Sequence, residues 1–288
     1  MTDMQEEKTM TKEQLDARLK SMCIKVIILR ILTHGLVVVG LLAVPQNFFI
    51  TLACLIVVPV FGIPAGRAIR KRNEIKKQLS ESVIDSAVGD VLGYGADYNS
   101  SGELKPGRVV VPIGYEGSAS MHHIKTVYNG VNIELSNIIL YKKYKESEYG
   151  TKTYVRFRGP WIICDFGKKP ACGVYISEWG KLDRKVMQRN VKIDNKQFSS
   201  RFCVRADDPQ EAYKILTPQM MEAITAAADK SGGMLYMSFL PDGKTNVAIQ
   251  TGRNLFDTKK GCNNAEEMRQ KFTEELRKLT VIVDTLNV

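Results

Sequence analysis

Residues 31–66 contain no Asp, Glu, Lys or Arg, and only His34 among them could acquire a charge. That run of 36 residues is too long for one helix across a hydrocarbon layer of about 30 Å, which roughly 20 residues span. Val44-Pro45-Gln46-Asn47 interrupts it with a turn signal. The pattern predicts two membrane helices joined by a very short loop, over residues 25–44 and 48–66. Backbone N–H and C=O groups find no water in lipid, so a helix that satisfies them internally is the expected form. A cleaved signal peptide fits poorly, because the polar stretch ahead is long and the apolar run is about double the usual length.

Each span has an irregularity. Arg30 lies inside the first, where its aliphatic stem can snorkel to the interface. His34 lies one turn further in and is expected as a neutral ring near a helix–helix contact. Pro59 and Pro64 are expected to kink or end the second helix. Gly35, Gly40, Ala53 and Cys54 are small enough to let the two helices approach closely.

The pattern changes on either side. Thr11 and Gln14 form a capping box ahead of Leu15, Leu19 and Met22 at helical spacing. Residues 67–88 continue as a helix with Ile69, Ile75, Leu79, Val83 and Ile84 as apolar positions, which Gly89 and the glycine-rich stretch 93–102 are expected to end. From Arg108 the apolar period becomes two. Residues 109–112, 131–144, 154–166, 173–177 and 198–204 read as strands, separated by turns at 128–130, 147–150 and 167–170. The alternation over 154–158 predicts a sheet with one wet face. Asp207-Asp208 before Pro209 and Thr217 before Pro218 predict two helix starts, the second helix ending at Gly232-Gly233. Residues 234–240 and 246–251 form a hairpin around Pro241-Asp242-Gly243. Asn264 caps a last helix, whose Met268, Phe272, Leu276, Leu279, Val283 and Leu286 stripe is expected to pack on the sheet.

The fold class expected is α+β: an N-terminal two-helix transmembrane hairpin, then a mostly antiparallel β-sheet domain with packed helices. The divisions are a polar tail and helix start at 1–22, the hairpin at 23–66, a basic juxtamembrane helix at 67–89 and a cytosolic domain at 90–288.

Composition adds little beyond excluding a disordered or collagen-like chain: 44% of the residues are apolar and 25% charged. The net charge of +10 changes the picture only once it is divided. Residues 18–30 hold four basic residues and no acid, residues 67–77 hold six basic residues and Glu74, and the connecting loop holds no charge. By the positive-inside rule both termini are cytoplasmic, in an inner or plasma membrane. Arg67, Arg70, Lys71, Arg72, Lys76 and Lys77 are then a membrane-surface cluster that draws anionic lipid, at about 1 kcal/mol per residue. Residues 78–288 carry 29 basic and 25 acidic residues, dispersed among one another. With no helix-turn-helix, zinc-finger or aromatic RNA-binding pattern, nucleic acid is not an expected partner.

Candidate chemistry is sparse. His122 and His123 are adjacent, and neighbours on a strand point to opposite faces, so they do not share a metal. Cys164 and Cys172 read as small apolar core residues, and six Cys without a framework spacing suit a reducing compartment. Asp207 and Asp208 read as capping residues, and Trp161 and Trp179 as packing residues. Arg253-Asn254-Leu255-Phe256-Asp257 reads as a turn anchored by Phe256. No catalytic, cofactor-binding or metal-ligating residue is assigned, and no cofactor is expected.

The stretch from Phe198 through Phe202-Cys203-Val204, Asp207-Asp208, Glu211-Ala212 and Leu216-Thr217-Pro218 resembles the signature of an uncharacterised bacterial membrane-protein family, known only as a domain of unknown function. Met237-Ser238-Phe239, Asn254-Leu255-Phe256, Tyr128-Asn129-Gly130 and Ile133-Glu134-Leu135-Ser136 fit the same pattern, and the resemblance reaches over most of residues 20–260. It implies a membrane-anchored cytosolic α+β domain and assigns no activity. The function expected is a membrane-anchored binding or scaffold module at a bacterial inner membrane. Its partners are the bilayer and either another membrane protein or further copies of the chain. The alternative is a membrane-bound enzyme acting on a lipid or envelope precursor.

Overall fold

Reciprocal capping starts the first helix, α1 (Lys12–Ala43). The Thr11 N–H donates to Gln14 Oε1 at 3.0 Å and the Gln14 N–H donates to Thr11 Oγ1 at 3.4 Å. The second helix, α2 (Phe48–Leu92), runs through Pro59 and Pro64. Each proline removes one backbone donor, yet neither ends the helix. Gly89 does not end it either. Gly93 does, with φ +88° and its N–H donating to Gly89 O at 3.1 Å. Gly89 instead makes room for a ring: a Cβ there would stand 3.2 Å from Tyr94.

The computed structural model describes residues 11–43, 48–109, 114–147, 150–178, 191–259 and 262–288. The first ten residues, the turn at 44–47, most of the strand expected at 109–112, the centre of the 147–150 turn and Trp179 lie outside them. The chain divides into two compact units. The first holds α1, α2 as far as Ser86, and Thr258–Phe272; the second holds Ala87–Asp257 and Thr273–Val288. The boundaries expected at 22/23, 66/67 and 89/90 lie within α1 and α2.

In the first unit, α1 buries Leu15, Leu19, Cys23 and Val26 at helical spacing, and α2 buries Ile75, Leu79 and Val83 likewise. Asp16 Oδ1 accepts the Ala265 N–H at 2.6 Å, and Lys76 Nζ donates to Thr258 O at 3.2 Å. Near the opposite ends of the two helices a Cβ on Gly40 would stand 3.1 Å from Cys54 Cβ, and Thr51 Oγ1 donates to Gly40 O at 3.3 Å. Gly40 and Cys54 thus make the close approach expected of them. Gly35 has no neighbour within 4 Å of a Cβ, and Ala53 is exposed, so these two do not.

The second unit is an antiparallel eight-stranded sheet in the order β1-β2-β3-β4-β8-β7-β5-β6. The strands are β1 (Asp97–Asn99), β2 (Gly117–Tyr128), β3 (Val131–Ser147), β4 (Gly150–Asp165), β5 (Val174–Glu178), β6 (Phe202–Ala206), β7 (Met234–Phe239) and β8 (Lys244–Gln250). The sheet is intercalated with α3 (Lys196–Arg201), α4 (Pro209–Ile215) and α5 (Pro218–Ser231), and α6 (Ala265–Leu286) follows it. Directly opposed residues share a face, so the register defines one apolar row: Ile124, Leu135, Ile162, Val247, Met237, Ile176 and Val204, all buried. Leu276, Leu279 and Val283 of α6 meet Ile124, Leu135 and Ile162 of this face. This half of the α6 stripe packs on the sheet as its periodicity predicts.

The other face is buried along the middle of the sheet as well. Ser136, Trp161, Ala248, Tyr236, Ser177 and Cys203 form a buried row across it. Leu104 and Val109, from the irregular segment that follows β1, complete a core there with Ile138, Leu140, Phe157 and Trp161. The alternation expected at 154–158 holds only in part: Phe157 is buried between the half-buried Arg156 and Arg158, while Tyr154 and Val155 are both exposed.

Local signals hold where they are short-range. Asp208 Oδ1 accepts the Gln210 N–H at 2.9 Å, and Thr217 Oγ1 accepts the Met220 N–H at 3.2 Å. Gly232 closes α5 in the left-handed region, φ +65°. Asn264 Oδ1 accepts the Glu267 N–H at 2.8 Å, starting α6. The β7–β8 turn forms at Pro241-Asp242-Gly243, with Leu240 N–H to Lys244 O at 3.0 Å. The strand expected from Phe198 begins only at Phe202. Asn195 Oδ1 caps Phe198 N–H at 3.0 Å and starts α3 instead. β1 and the twelve residues of β2 have no counterpart in the apolar pattern of the sequence.

Candidate functional site

An apolar surface runs along the two long helices. Along α1, Ile24, Ile31, Leu41 and Leu42 point outward, Leu42 being 70% exposed; along α2, Ile56, Val60 and Ile63 do the same. Both helices are long and apolar enough to cross a membrane. Single exposed apolar side chains are ordinary, but a continuous apolar surface of this length marks an interaction surface. His34 is exposed on it rather than at a helix–helix contact, and its Nδ1 lies 2.8 Å from Arg30 O.

The basic flank follows on α2. Arg67, Arg70 and Lys77 are exposed, and their spacing puts them on one side of the helix. Lys71 and Arg72 are half-buried, and Arg72 Nη2 donates to Asn73 at 3.3 Å. Lys76 points the other way. Only 4% of it is exposed, and its ammonium is held by the Thr258 carbonyl. Burial, and then Arg72 nearby, push its pKa below the usual lysine value. Of the six basic residues, Arg67, Arg70 and Lys77 are thus exposed, Lys71 and Arg72 half-buried and Lys76 buried.

In the second unit the two histidines part company, though not by strand alternation. The β2–β3 register slips between Met121 and Ile124, and His122 adopts φ +60°. Such a bulge re-aims side chains. His122 Nδ1 lies 3.0 Å from the Tyr98 hydroxyl and its ring meets Phe256 edge-on at 5.5 Å. Burial holds its pKa below the ordinary histidine value. His123 Nε2 lies 3.4 Å from Glu134 Oε2. Among the described residues no three His, Cys, Asp or Glu side chains gather as a metal site.

The remaining candidates have structural neighbours. Cys164 is buried, which pushes its thiol up to about 12; Cys172 Sγ accepts the Asp208 N–H at 3.3 Å. None of the six cysteines forms a disulfide. Trp161 lies in the core. The 253–257 turn is anchored as its composition predicts: Leu255 N–H donates to Asn137 Oδ1 and Phe256 N–H to Glu275 Oε2, both at 2.8 Å. An open depression of about 490 Å³ lies over the ends of β2, β3, β4 and β8, with Lys125, Glu134, Asp165 and Lys244 along it. These charges are of both signs, and Lys125 approaches Glu134 at 3.8 Å. Sequence reading passed over a cluster that strand pairing assembles at the far end of β3 and β4, although Lys142-Lys143-Tyr144-Lys145 is a visible signal for it.

No solved structure and no curated protein matches the chain. One family model does, a protein of unknown function (DUF3137), over residues 155–288. The match runs from within β4 to the last residue, so it includes α6, which the resemblance read from the sequence left out. It covers the Phe198–Pro218, Met237–Phe239 and Asn254–Phe256 motifs but not the two apolar helices or the motifs at 128–136. Residues 155–288 are thus similar to that family, whose function is unknown.

Proposed function

We propose that the chain is an integral protein of a bacterial inner membrane, with both termini in the cytoplasm. The α1–α2 hairpin anchors the sheet unit there as a binding or scaffold module, whose partner is another membrane protein or a further copy of the chain. One observation carries this reading. The most apolar stretch of α1 is only 11% buried and that of α2 only 18%. A core helix of a water-soluble protein hides its apolar side chains, whereas these helices turn theirs outward, as lipid requires. A removable leader is a single short apolar segment; here two apolar helices touch at Gly40 and Cys54. The exposed Arg67, Arg70 and Lys77 supply positive charge for the cytoplasmic side and for anionic headgroups.

The test is a pair of reporter fusions at the C-terminus, one active only in the cytoplasm and one only in the periplasm. Cytoplasmic activity, with the protein retained in membranes after alkaline extraction, is the expected result. Periplasmic activity reverses the orientation, and release by alkali removes the anchor.

A further inference from the structure

Among the described residues, beyond Tyr141 on β3 and before Trp161 on β4 neither strand pairs with a third strand. The two leave the sheet as a two-stranded arm. Residues 141–158 hold six basic residues and two acids. Cross-strand pairing sets Lys142 opposite Tyr154 and Tyr144 opposite Lys152, so all four share one face. There the Tyr144 and Tyr154 rings meet edge-to-face at 5.3 Å. Lys142 Nζ stands 5.2 Å from the centre of the Tyr144 ring, and Lys152 Nζ 5.6 Å from that of Tyr154. Arg156 reaches both rings, at 5.5 and 5.9 Å, and donates from Nη2 to the Tyr144 hydroxyl at 2.6 Å. Lys142 also approaches Glu116, at 3.9 Å. Tyr144 and Tyr154 remain 38% and 40% exposed.

We infer that this face of the β3–β4 arm is a docking surface for anionic lipid headgroups. Its charge is complementary to them, and tyrosine with lysine is the side-chain pairing suited to the headgroup layer, a ring at the interface and a cation reaching phosphate. Single-stranded nucleic acid also answers to basic and aromatic residues, but it stacks bases on open ring faces. Here the rings are engaged by cations and by each other. The inference rests on the membrane anchoring proposed above. A tether to the same bilayer raises the effective lipid concentration at the arm, so weak contact suffices. Each basic residue near an anionic surface strengthens binding about fivefold.

The test is backbone hydrogen exchange of residues 141–158 in the full chain, reconstituted into bilayers with phosphatidylglycerol and into purely zwitterionic ones. Exchange slows in the first only, and high salt restores it. Lys142→Gln with Lys152→Gln weakens arm binding about 25-fold and abolishes the protection. Lys169→Gln with Lys244→Gln, equal in charge but away from the arm, leaves it intact. Equal exchange in the two bilayers, with the chain still resistant to alkaline extraction, overturns the arm's role and leaves the anchor standing. If alkali extracts the chain, the anchor fails; salt-sensitive co-sedimentation with phosphatidylglycerol vesicles then supports the arm, and its absence overturns it. Protection by an oligouridylate but not by phosphatidylglycerol overturns it in favour of nucleic acid.

Discussion

Trp161 donates its indole N–H to Asn246 Oδ1 at 3.1 Å, across the β4–β8 pair in a fully buried setting. Asn246 Nδ2 donates in turn to Ser238 Oγ at 3.3 Å. A Cβ on Gly107 would stand 2.2 Å from the same Oδ1, so this amide also seats the segment that covers the sheet. Replacing Asn246 by Leu leaves the indole N–H without its acceptor in a dry site. The expected loss is about 2–3 kcal/mol, from a buried donor left unpaired and a disturbed contact with Gly107. Gly107→Ala should drive its methyl into the Asn246 amide and so displace the covering segment, the Trp161–Asn246 pair or both. Thermal unfolding followed by near-ultraviolet circular dichroism checks both; an unchanged Asn246→Leu midpoint would refute the account.

Gly40 and Cys54 offer a direct probe of the hairpin. A Cβ at residue 40 lies within disulfide reach of Cys54 Cβ, given side-chain adjustment of a few tenths of an ångström. Gly40→Cys should crosslink to Cys54 under mild oxidation in native membranes, as mapped by peptide mass spectrometry. Gly35→Cys, with no neighbour within 4 Å, should not. Crosslinking at residue 35 but not at residue 40 contradicts the helix pairing.

Asp16 should couple stability to acid pH. Burial alone would raise its pKa, but the Lys20 ammonium at 2.9 Å and the Ala265 N–H hold the carboxyl below its ordinary 3.8. A depressed carboxyl contributes stability that is complete above 3.8 and is lost as pH falls through the folded-state value. Asp16→Asn keeps an acceptor for Ala265 but should flatten this acid limb. Asp16→Ala should cost about 1 kcal/mol at neutral pH, the usual worth of a helix-start acceptor. Denaturation curves measured as a function of pH distinguish the two variants.

Lys76 should act in the opposite pH range. Its folded-state pKa lies below the ordinary 10.5 because burial disfavours the ammonium. Between the folded value and 10.5 the unfolded chain binds more protons, so stability rises with pH across that window. Lys76→Met removes the charge from the buried site and should abolish the rise. A rise of the same size in the variant would place its origin elsewhere.

How far the sequence was legible depended on the range of the interactions involved. Thr11 with Gln14, Asp208 with Gln210, Thr217 with Met220 and Asn264 with Glu267 are contacts over two or three residues, and residue type alone predicts them. Phe198 shows the limit: its apolar neighbours suit a strand, and a cap from Asn195 makes them a helix. Gly89 and Lys76 show another. Both were assigned from composition, a stop and a surface charge, yet each is decided by what lies beside it, the Tyr94 ring and the Thr258 carbonyl.

The sequence by itself determined the two long apolar helices, the placement of positive charge at their flanks, and most helix starts and the β7–β8 turn. These follow from transfer between water and an apolar phase, and from hydrogen bonds a few residues long. Only the tertiary structure decided that both faces are buried along the middle of the sheet, that His122 sits in a bulge, and that Lys142, Tyr144, Lys152, Tyr154 and Arg156 form one cluster. Those outcomes depend on register between distant strands. A shift of one residue exchanges the two faces of a strand, and no local pattern carries that information.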